Sequence, residues 1–158
     1  MAEIEKTNAM RILEQKHIAY TVYTYPHDGS AIDGVHVAEL IGQDPECVFK
    51  TLVTRGASNQ LYVFVVPVQS ELNLKKAAKA VGEKSIAMIP VKEITPLTGY
   101  VRGGCSPIGM KKAYLTVFDE QVEIVPYIIV SGGKIGLQIQ LNPNDLISAA
   151  NGKISEIT

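Results

Sequence analysis

The segment VFKTLVTRGASNQLYVFVVPV, residues 48–68, decides the fold because it holds the two strongest strand patterns of the chain. Residues 48–54 and 61–68 are rich in β-branched and aromatic side chains, which favour a pleated and half-buried surface. The intervening RGASNQ contains glycine, serine and asparagine, which suit the turn of a β-hairpin. The segment therefore predicts two antiparallel strands joined by a short turn.

Lys50 stands between bulky apolar residues in the first of these strands. A lysine stem can lie along apolar surface while its ammonium reaches water, so a solvated side chain on an edge strand is one interpretation. A second interpretation is a partly desolvated ammonium whose pKa is lowered. A third is a fixed positive charge that meets an anion or a developing oxyanion. The position of Lys50 in the strand leaves all three open.

Helix and strand patterns continue irregularly on both sides of the hairpin. Four helices are predicted. The first begins after the capping residues Thr7 and Asn8, and the second runs from Val35 to about Ile41 after a capping Asp33. The third runs from about Leu72 to Val81, and the last begins after a capping Asn142 or Asn144. Further strands are predicted at 19–25, 85–89, 113–119, 127–133 and 135–141. Because hairpin-linked strands do not alternate one for one with helices, the pattern predicts an α+β fold. We expect a curved, mixed, largely antiparallel sheet, barrel-like and surrounded by helices.

Length and composition describe an ordinary globular protein. The 158 residues contain no repeat and no linker, so we expect one domain spanning residues 1–158. Hydrophobic residues at 46% and charged residues at 20% exclude a disordered chain. No stretch is long enough for a membrane span, and the N-terminus lacks the layout of a signal peptide, so we expect a cytoplasmic protein without a membrane partner. Cys47 and Cys105 form no CxxC motif, which disfavours a disulfide framework or structural zinc.

A formal net charge of −1 provides no global field for attracting polyanions, so any nucleic-acid contact depends on a local patch. No feature indicates DNA binding. Two clusters are candidate patches, and solvated surface charge is the alternative for both. They are Lys75, Lys76 and Lys79 on a predicted helix, and Arg102, Lys111 and Lys112 around a glycine-rich loop.

That loop, TGYVRGGCSPIGMKK at Thr98 to Lys112, holds four glycines and a proline in fifteen residues, between apparent strands. Glycine lets backbone N–H groups turn toward a ligand without a Cβ in the way. The loop matches neither GxxxxGK[ST] nor GxGxxG, so nucleoside triphosphate chemistry is not indicated. An ordinary tight turn is the alternative interpretation.

Cys105 in this loop is a candidate nucleophile, because an exposed thiol near Arg102 and Lys111 is expected to have a lowered pKa. No histidine base lies near it in sequence. The three histidines all fall in the first quarter of the chain, at spacings that fit no helical metal pair. They are His17, His27 and His36.

Two further residues are ambiguous. Ser131 opens the turn SGGK, which is typical of a hairpin connection but also offers a hydroxyl and backbone donors. Tyr25 ends its strand before a proline. Its ring is either a packing residue or an exposed wall on which a terminal base or ribose stacks.

Taken together, VFKTLV, TGYVRGGCSPIGMKK and YIIVSGGKIGLQIQL resemble the YbaK family of bacterial aminoacyl-tRNA deacylases, kin to the editing domain inserted in prolyl-tRNA synthetases. The resemblance spans nearly the whole chain and depends on three motifs in order: a strand lysine, a GxxxP loop and a serine-glycine-glycine turn. It implies no metal and no cofactor. The residues that it implies are Lys50, Gly103 and Gly104 for catalysis, and Tyr25, Pro107, Ser131 and Gln138 for substrate binding.

The subgroup that removes cysteine mischarged onto proline tRNA is the most similar. In that chemistry the substrate thiol attacks its own ester, so the protein needs no nucleophile, and Cys105 is only an unconstrained position of GxxxP. The resemblance implies that Lys50 orients the terminal phosphate or the aminoacyl group. It also implies that the Gly103 and Gly104 N–H groups meet the carbonyl oxygen and that Pro107 shapes the loop. The implied partners are the 3′ end of aminoacylated tRNA and a prolyl-tRNA synthetase.

Three alternatives remain open at this stage. Gln138 stands where the subgroup often has an acid, which favours a deacylase that uses water to remove alanine or another small residue. A non-catalytic, nucleotide-binding regulator with the same fold is the second. A lysine Schiff-base enzyme is the third, although nothing else in the chain suits pyridoxal phosphate.

Overall fold

The computed structural model describes residues 5–158, so residues 1–4 of the expected domain and N-terminal stretch lie outside it. The helices are α1 Asn8–Gln15, α2 Gly34–Leu40, α3 Leu74–Val81, α4 Val91–Thr98 and α5 Pro143–Ala149, with a 3-10 turn at Glu120–Glu123. The strands are β1 Thr21–Thr24, β2 Phe49–Gly56, β3 Leu61–Pro67, β4 Ile86–Met88, β5 Leu115–Asp119, β6 Ile128–Ser131, β7 Leu137–Leu141 and β8 Lys153–Ser155.

The described strands form two sheets. One has the order β1-β7-β6 and is antiparallel throughout, and the other has the order β4-β2-β3-β5-β8. In the second sheet β4, β2 and β3 are antiparallel, whereas β5 is parallel to both β3 and β8. A parallel bridge between Val48 and Ile129 joins the sheets. The predicted α+β fold with mixed, largely antiparallel strands is confirmed, but these strands do not close into a barrel.

The hairpin predicted from residues 48–68 forms as expected. β2 and β3 pair from Phe49 opposite Pro67 to Arg55 opposite Leu61. Since successive side chains point to opposite faces, the hairpin contributes to two cores. Phe49 packs in the larger core with β6, β7 and α5, whereas Phe64 packs in the core that α3 covers.

Several helix boundaries follow their capping residues. The Asn73 side chain accepts a hydrogen bond from the Lys76 N–H, and Gly82 ends α3 with a φ of 73°. Asn142, rather than Asn144, caps α5. Asp33 occupies the position before α2, but its side chain makes no capping hydrogen bond.

Two elements were missed by the sequence patterns. The glycine-rich loop follows α4, not a strand, although α4 contains Pro96. Proline and β-branched residues normally disfavour a helix interior, which explains the error. β8 has only three residues, and it forms because Val117 to Asp119 of β5 pair with it.

Within residues 5–158, no helix combines the length and the apolar character that a bilayer span requires.

Candidate functional site

A cavity of about 560 Å³ lies beside an open edge of β2. β3 pairs along one edge of β2, but the other edge meets β6 only near Val48 and β4 only from Thr54 onward. Residues 49–53, between these two contacts, all line the cavity. The split between the two sheets therefore creates the site.

Five of the seven predicted site residues converge on this cavity. They come from the end of β1, from β2, from the glycine-rich loop, from the end of β6 and from β7. These residues are Tyr25, Lys50, Gly103, Ser131 and Gln138. Gly104 and Pro107 do not lie on the cavity wall.

Lys50 lies on an interior strand of its sheet, beside the open edge. Its side chain is 28% exposed, and its ammonium is 3.6 Å from a carboxylate oxygen of Glu71. The Glu71 side chain is 94% exposed. Ion pairs with such exposed partners typically contribute about 0–1 kcal/mol, so Glu71 is a weak partner. Because β4 pairs only with residues 54–56, Lys50 lies at a locally unpaired edge of β2, as the edge-strand interpretation expected, but its side chain also lines the cavity.

The two adjacent glycines have different environments. Gly103 has a φ of +83°, and a Cβ there would lie 2.8 Å from the Cβ of Ala31. The Gly104 N–H donates to the Val101 carbonyl at 2.9 Å, whereas the Gly103 N–H has no backbone acceptor within the described chain. A Cβ on Gly104 would lie 2.7 Å from the Lys134 Cα. Gly104 thus packs the loop against the β6–β7 turn, and its N–H is already occupied.

Pro107 is buried in the loop, away from the cavity. Beside it, the Tyr100 hydroxyl donates to the Ile108 carbonyl at 2.7 Å. The Tyr100 N–H donates to the hydroxyl of Thr98 at 3.0 Å. These contacts fix the conformation of the segment between Gly99 and Gly109.

Three polar groups complete the wall. Tyr25 is only 6% exposed, so its ring packs in the interior as well as lining the cavity. Gln138 is also 6% exposed, and it lines the cavity from β7. The Ser131 hydroxyl accepts from the Gly133 N–H at 3.2 Å, which holds the turn.

Cys105 does line the cavity, but it is not an activated thiol. Burial raises its pKa to about 12, opposite to the lowering expected from nearby cations. The sequence placed Arg102 near Cys105 but could not show that folding partly buries this residue. The prediction of a lowered pKa is therefore wrong.

None of the three histidines lines the cavity. His27 instead packs edge-on against the Tyr25 ring, with 6.5 Å between the ring centroids. Within the described part of the chain, no three His, Cys, Asp or Glu side chains are grouped as metal ligands would be.

The sequence patterns missed two parts of the wall. The Thr51 hydroxyl is buried and has no hydrogen-bond partner in the described structure, although Thr51 lines the cavity. Its position beside Lys50 on the same strand was the only available signal. Apolar side chains from β4 and α4 line the opposite side, and Met88 and Val91 among them are 49% and 54% exposed.

Comparison with known proteins decides the family. The Aminoacyl-tRNA editing domain family matches residues 32–149. The chain is 45% identical to the Enterococcus faecalis protein named "Putative Cys-tRNA(Pro)/Cys-tRNA(Cys) deacylase EbsC", over 98% of this chain and 94% of that protein. This chain belongs to the aminoacyl-tRNA editing domain family. The resemblance to the YbaK family is thereby confirmed, and deacylation of aminoacyl-tRNA is the activity of this editing domain.

Two further similarities extend the comparison. The editing domain is 26% identical to Proline--tRNA ligase of Trichlorobacter lovleyi, over 84% of this chain and 23% of that enzyme. It also superposes on "Crystal structure of a putative trans-editing enzyme for prolyl tRNA synthetase" with a TM-score of 0.83 and 23% identity. That match covers 98% of this chain and 99% of the other. The structural match confirms the fold.

Proposed function

We propose that this editing domain removes cysteine from Cys-tRNA(Pro) and that the nucleophile is the thiol of the substrate itself. The cavity wall is the observation that supports this most. It brings Lys50 and Gly103 together, but the Cys105 thiol is kept protonated by burial, and no histidine adjoins Ser131 on the wall to act as its base. A cysteinyl ester brings its own nucleophile, the substrate thiol, which the cavity wall does not provide.

The chemistry balances without a protein nucleophile. The substrate sulfur attacks its own carbonyl carbon, so a C–S bond forms while the ester C–O bond to the ribose breaks. The thiol proton passes to the departing ribose oxygen, and the product is a four-membered thiolactone. Water then opens the ring, which yields free cysteine and returns a proton to sulfur. The first step has the character of a lyase reaction, and the overall result is hydrolysis.

Lys50 and the loop have separate roles in this proposal. The Lys50 ammonium exchanges the exposed Glu71 carboxylate for the terminal phosphate or the aminoacyl group. The Gly103 N–H stabilises the oxyanion, because it lacks a backbone acceptor and belongs to a cavity-lining residue. Gly104 is assigned a packing role, since its N–H already bonds to Val101. Pro107 acts on the shape of the loop.

The remaining polar residues position the substrate. Tyr25 offers its ring edge or face to the terminal nucleoside, and Gln138 offers an amide that can both donate and accept hydrogen bonds. Ser131 stabilises the turn that carries the adjoining wall.

A prolyl-tRNA synthetase is the proposed partner that supplies tRNA selection. The relatedness to Proline--tRNA ligase of Trichlorobacter lovleyi supports this, because that relative's name identifies it as an enzyme that joins proline to its tRNA. We therefore expect the isolated protein to discriminate poorly between tRNAs. A strong preference for proline tRNA by the protein alone would contradict this part of the proposal.

A deacylation panel tests the proposed function. Purified protein is given proline tRNA esterified with cysteine, S-methylcysteine, serine, alanine or proline, together with cysteine on its own tRNA. We expect cleavage of both cysteine esters and none of the S-methylcysteine ester, since the methyl group removes the nucleophile. Preferential cleavage of the alanine ester would instead establish the water-dependent alternative, and cleavage of none would support a binding role.

The same panel is repeated with EDTA. We expect unchanged rates, because neither the reaction nor the described residues call for a metal ion. Activity that disappears in EDTA and returns with zinc would overturn the proposed mechanism.

A further inference from the structure

Two segments of the chain that contribute residues to the cavity wall carry positive but no negative side chains. Residues 94–118 and 124–144 contain no Asp or Glu, although the whole chain has a net charge of −1. Four exposed cations in these two stretches make no ion pair with any described residue. We call them the loop–turn face: Arg102, Lys111 and Lys112 of the glycine-rich loop, and Lys134 of the β6–β7 turn.

The packing of the loop against the turn makes this face one surface. Gly104 lies against the Lys134 backbone, and a Cβ added to Gly104 would be only 2.7 Å from the Cα of Lys134. Two consecutive residues at the start of α1 secure both segments. The Thr7 hydroxyl donates to the Gly132 carbonyl, and the Asn8 amide donates to the Gly109 carbonyl at 2.7 Å. The loop and the turn that bear these cations are therefore held in place by hydrogen bonds to the start of α1.

The other candidate patch, on α3, differs in two ways. Lys76 is paired with Glu156 and also donates to the Thr158 carbonyl, so its charge is compensated within the protein. No residue of α3 lines the cavity, whereas Arg102 does. Lys75 and Lys79 are exposed but have no connection to the site.

We propose that the loop–turn face binds the phosphate backbone of the tRNA acceptor stem, an inference that rests on the proposed function. The terminal nucleotide occupies the cavity, so the adjoining phosphates emerge past Arg102 and reach the remaining cations. Tyr100, the one aromatic residue within 99–112, is buried and cannot stack on a base. The face therefore holds the backbone without reading its sequence.

The variant Lys112→Gln/Lys134→Gln tests the face, with Lys75→Gln/Lys79→Gln as a control of equal charge change. Both are assayed on Cys-tRNA(Pro) and on the cysteinyl ester of adenosine, which has no stem. For the face variant we expect kcat/KM on tRNA to fall at least about tenfold at low salt. The slope of log kcat/KM against log salt should fall by about two, one unit per lysine. We expect no change on the adenosine ester and none for the control on either substrate.

Each other outcome contradicts a separate claim. An unchanged salt slope for the face variant, or an equal loss in the control, overturns the loop–turn face. An equal loss on the adenosine ester shows that these lysines act on the cavity and not on the stem. If the parent cleaves neither ester, the proposed function fails. Anisotropy titration of uncharged proline tRNA with the same variants then still decides whether the face binds RNA, and thermal melts verify folding throughout.

Discussion

The ammonium of Lys50 lies 3.6 Å from the carboxylate of Glu71, a residue whose side chain is almost entirely exposed. Lys50 itself lines the cavity from an interior strand. The pair therefore joins a half-buried cation to a solvated anion that costs little to displace. Glu71 occupies the position in which we propose that substrate oxygens bind.

Glu71→Gln should increase kcat/KM for Cys-tRNA(Pro), by up to about fivefold, because an exposed pair contributes no more than about 1 kcal/mol. Glu123→Gln is the matched control, since it removes the same unit of charge from an exposed position outside the cavity. The measurement is steady-state deacylation at fixed ionic strength. A loss beyond tenfold in Glu71→Gln alone would show that the carboxylate takes part in the reaction.

Cys105→Ser should retain most of the activity. The thiol is kept neutral by burial, and the proposed nucleophile belongs to the substrate. Single-turnover rates on Cys-tRNA(Pro) provide the measurement, with circular dichroism as the check on folding. If the folded variant lost more than about a hundredfold, the scale on which a principal catalytic contact is removed, Cys105 would have to be a catalytic thiol.

Alkaline stability gives an independent test of the Cys105 environment. In the native state its pKa is about 12, whereas an unfolded thiol ionises near 8.5. The native state therefore binds more protons between these values, and stability falls as pH rises from about 9 toward 12. Cys105→Ser should make that fall shallower in urea titrations at stepped pH. An unchanged pH dependence would show that the thiol ionises freely in the folded protein.

Gly103→Ala should lose most activity and about 1–2 kcal/mol of stability, because its φ of +83° disfavours a Cβ and Ala31 occupies the space. Gly82→Ala is the matched control. Gly82 has a φ of +73°, but nothing lies within 4 Å of an added Cβ, and it is remote from the cavity. Both variants should be destabilised in urea titration, and only Gly103→Ala should be impaired in deacylation. If Gly103→Ala and Gly82→Ala were equally active, Gly103 would have no role in the reaction.

The parts of the fold that local residues determine were predictable from sequence. Asn73 and Gly82 satisfy the ends of α3 through their own neighbours, so its bounds lay within two residues of the prediction. The hairpin of β2 and β3 depends on a short turn in the same way. In contrast, β8 forms only because β5 is already in place, and three residues carry too little pattern to reveal it.

The candidate site shows the same limit. Lys50, Gly103 and Ser131 belong to motifs whose order was recognisable, and the structure places them on one cavity. The packing position of Gly104 depends on Lys134, thirty residues away in sequence, and no local pattern encodes that contact. The burial of the Cys105 thiol is likewise a tertiary property, which is why its pKa shifts in the direction opposite to the prediction.

The most direct test of the central claim is single-turnover deacylation of Cys-tRNA(Pro) by Lys50→Ala, with Lys50→Arg and Lys75→Ala as companions. We expect Lys50→Ala to be slowed at least about a hundredfold, because a principal electrostatic contact is lost. Lys50→Arg should also be severely impaired, since a planar guanidinium keeps the charge but not the size and placement of the ammonium. Lys75→Ala should match the parent, and all thermal midpoints should stay close together. If folded Lys50→Ala were as active as the parent, the proposed role of Lys50 and the mechanism built on it would be wrong.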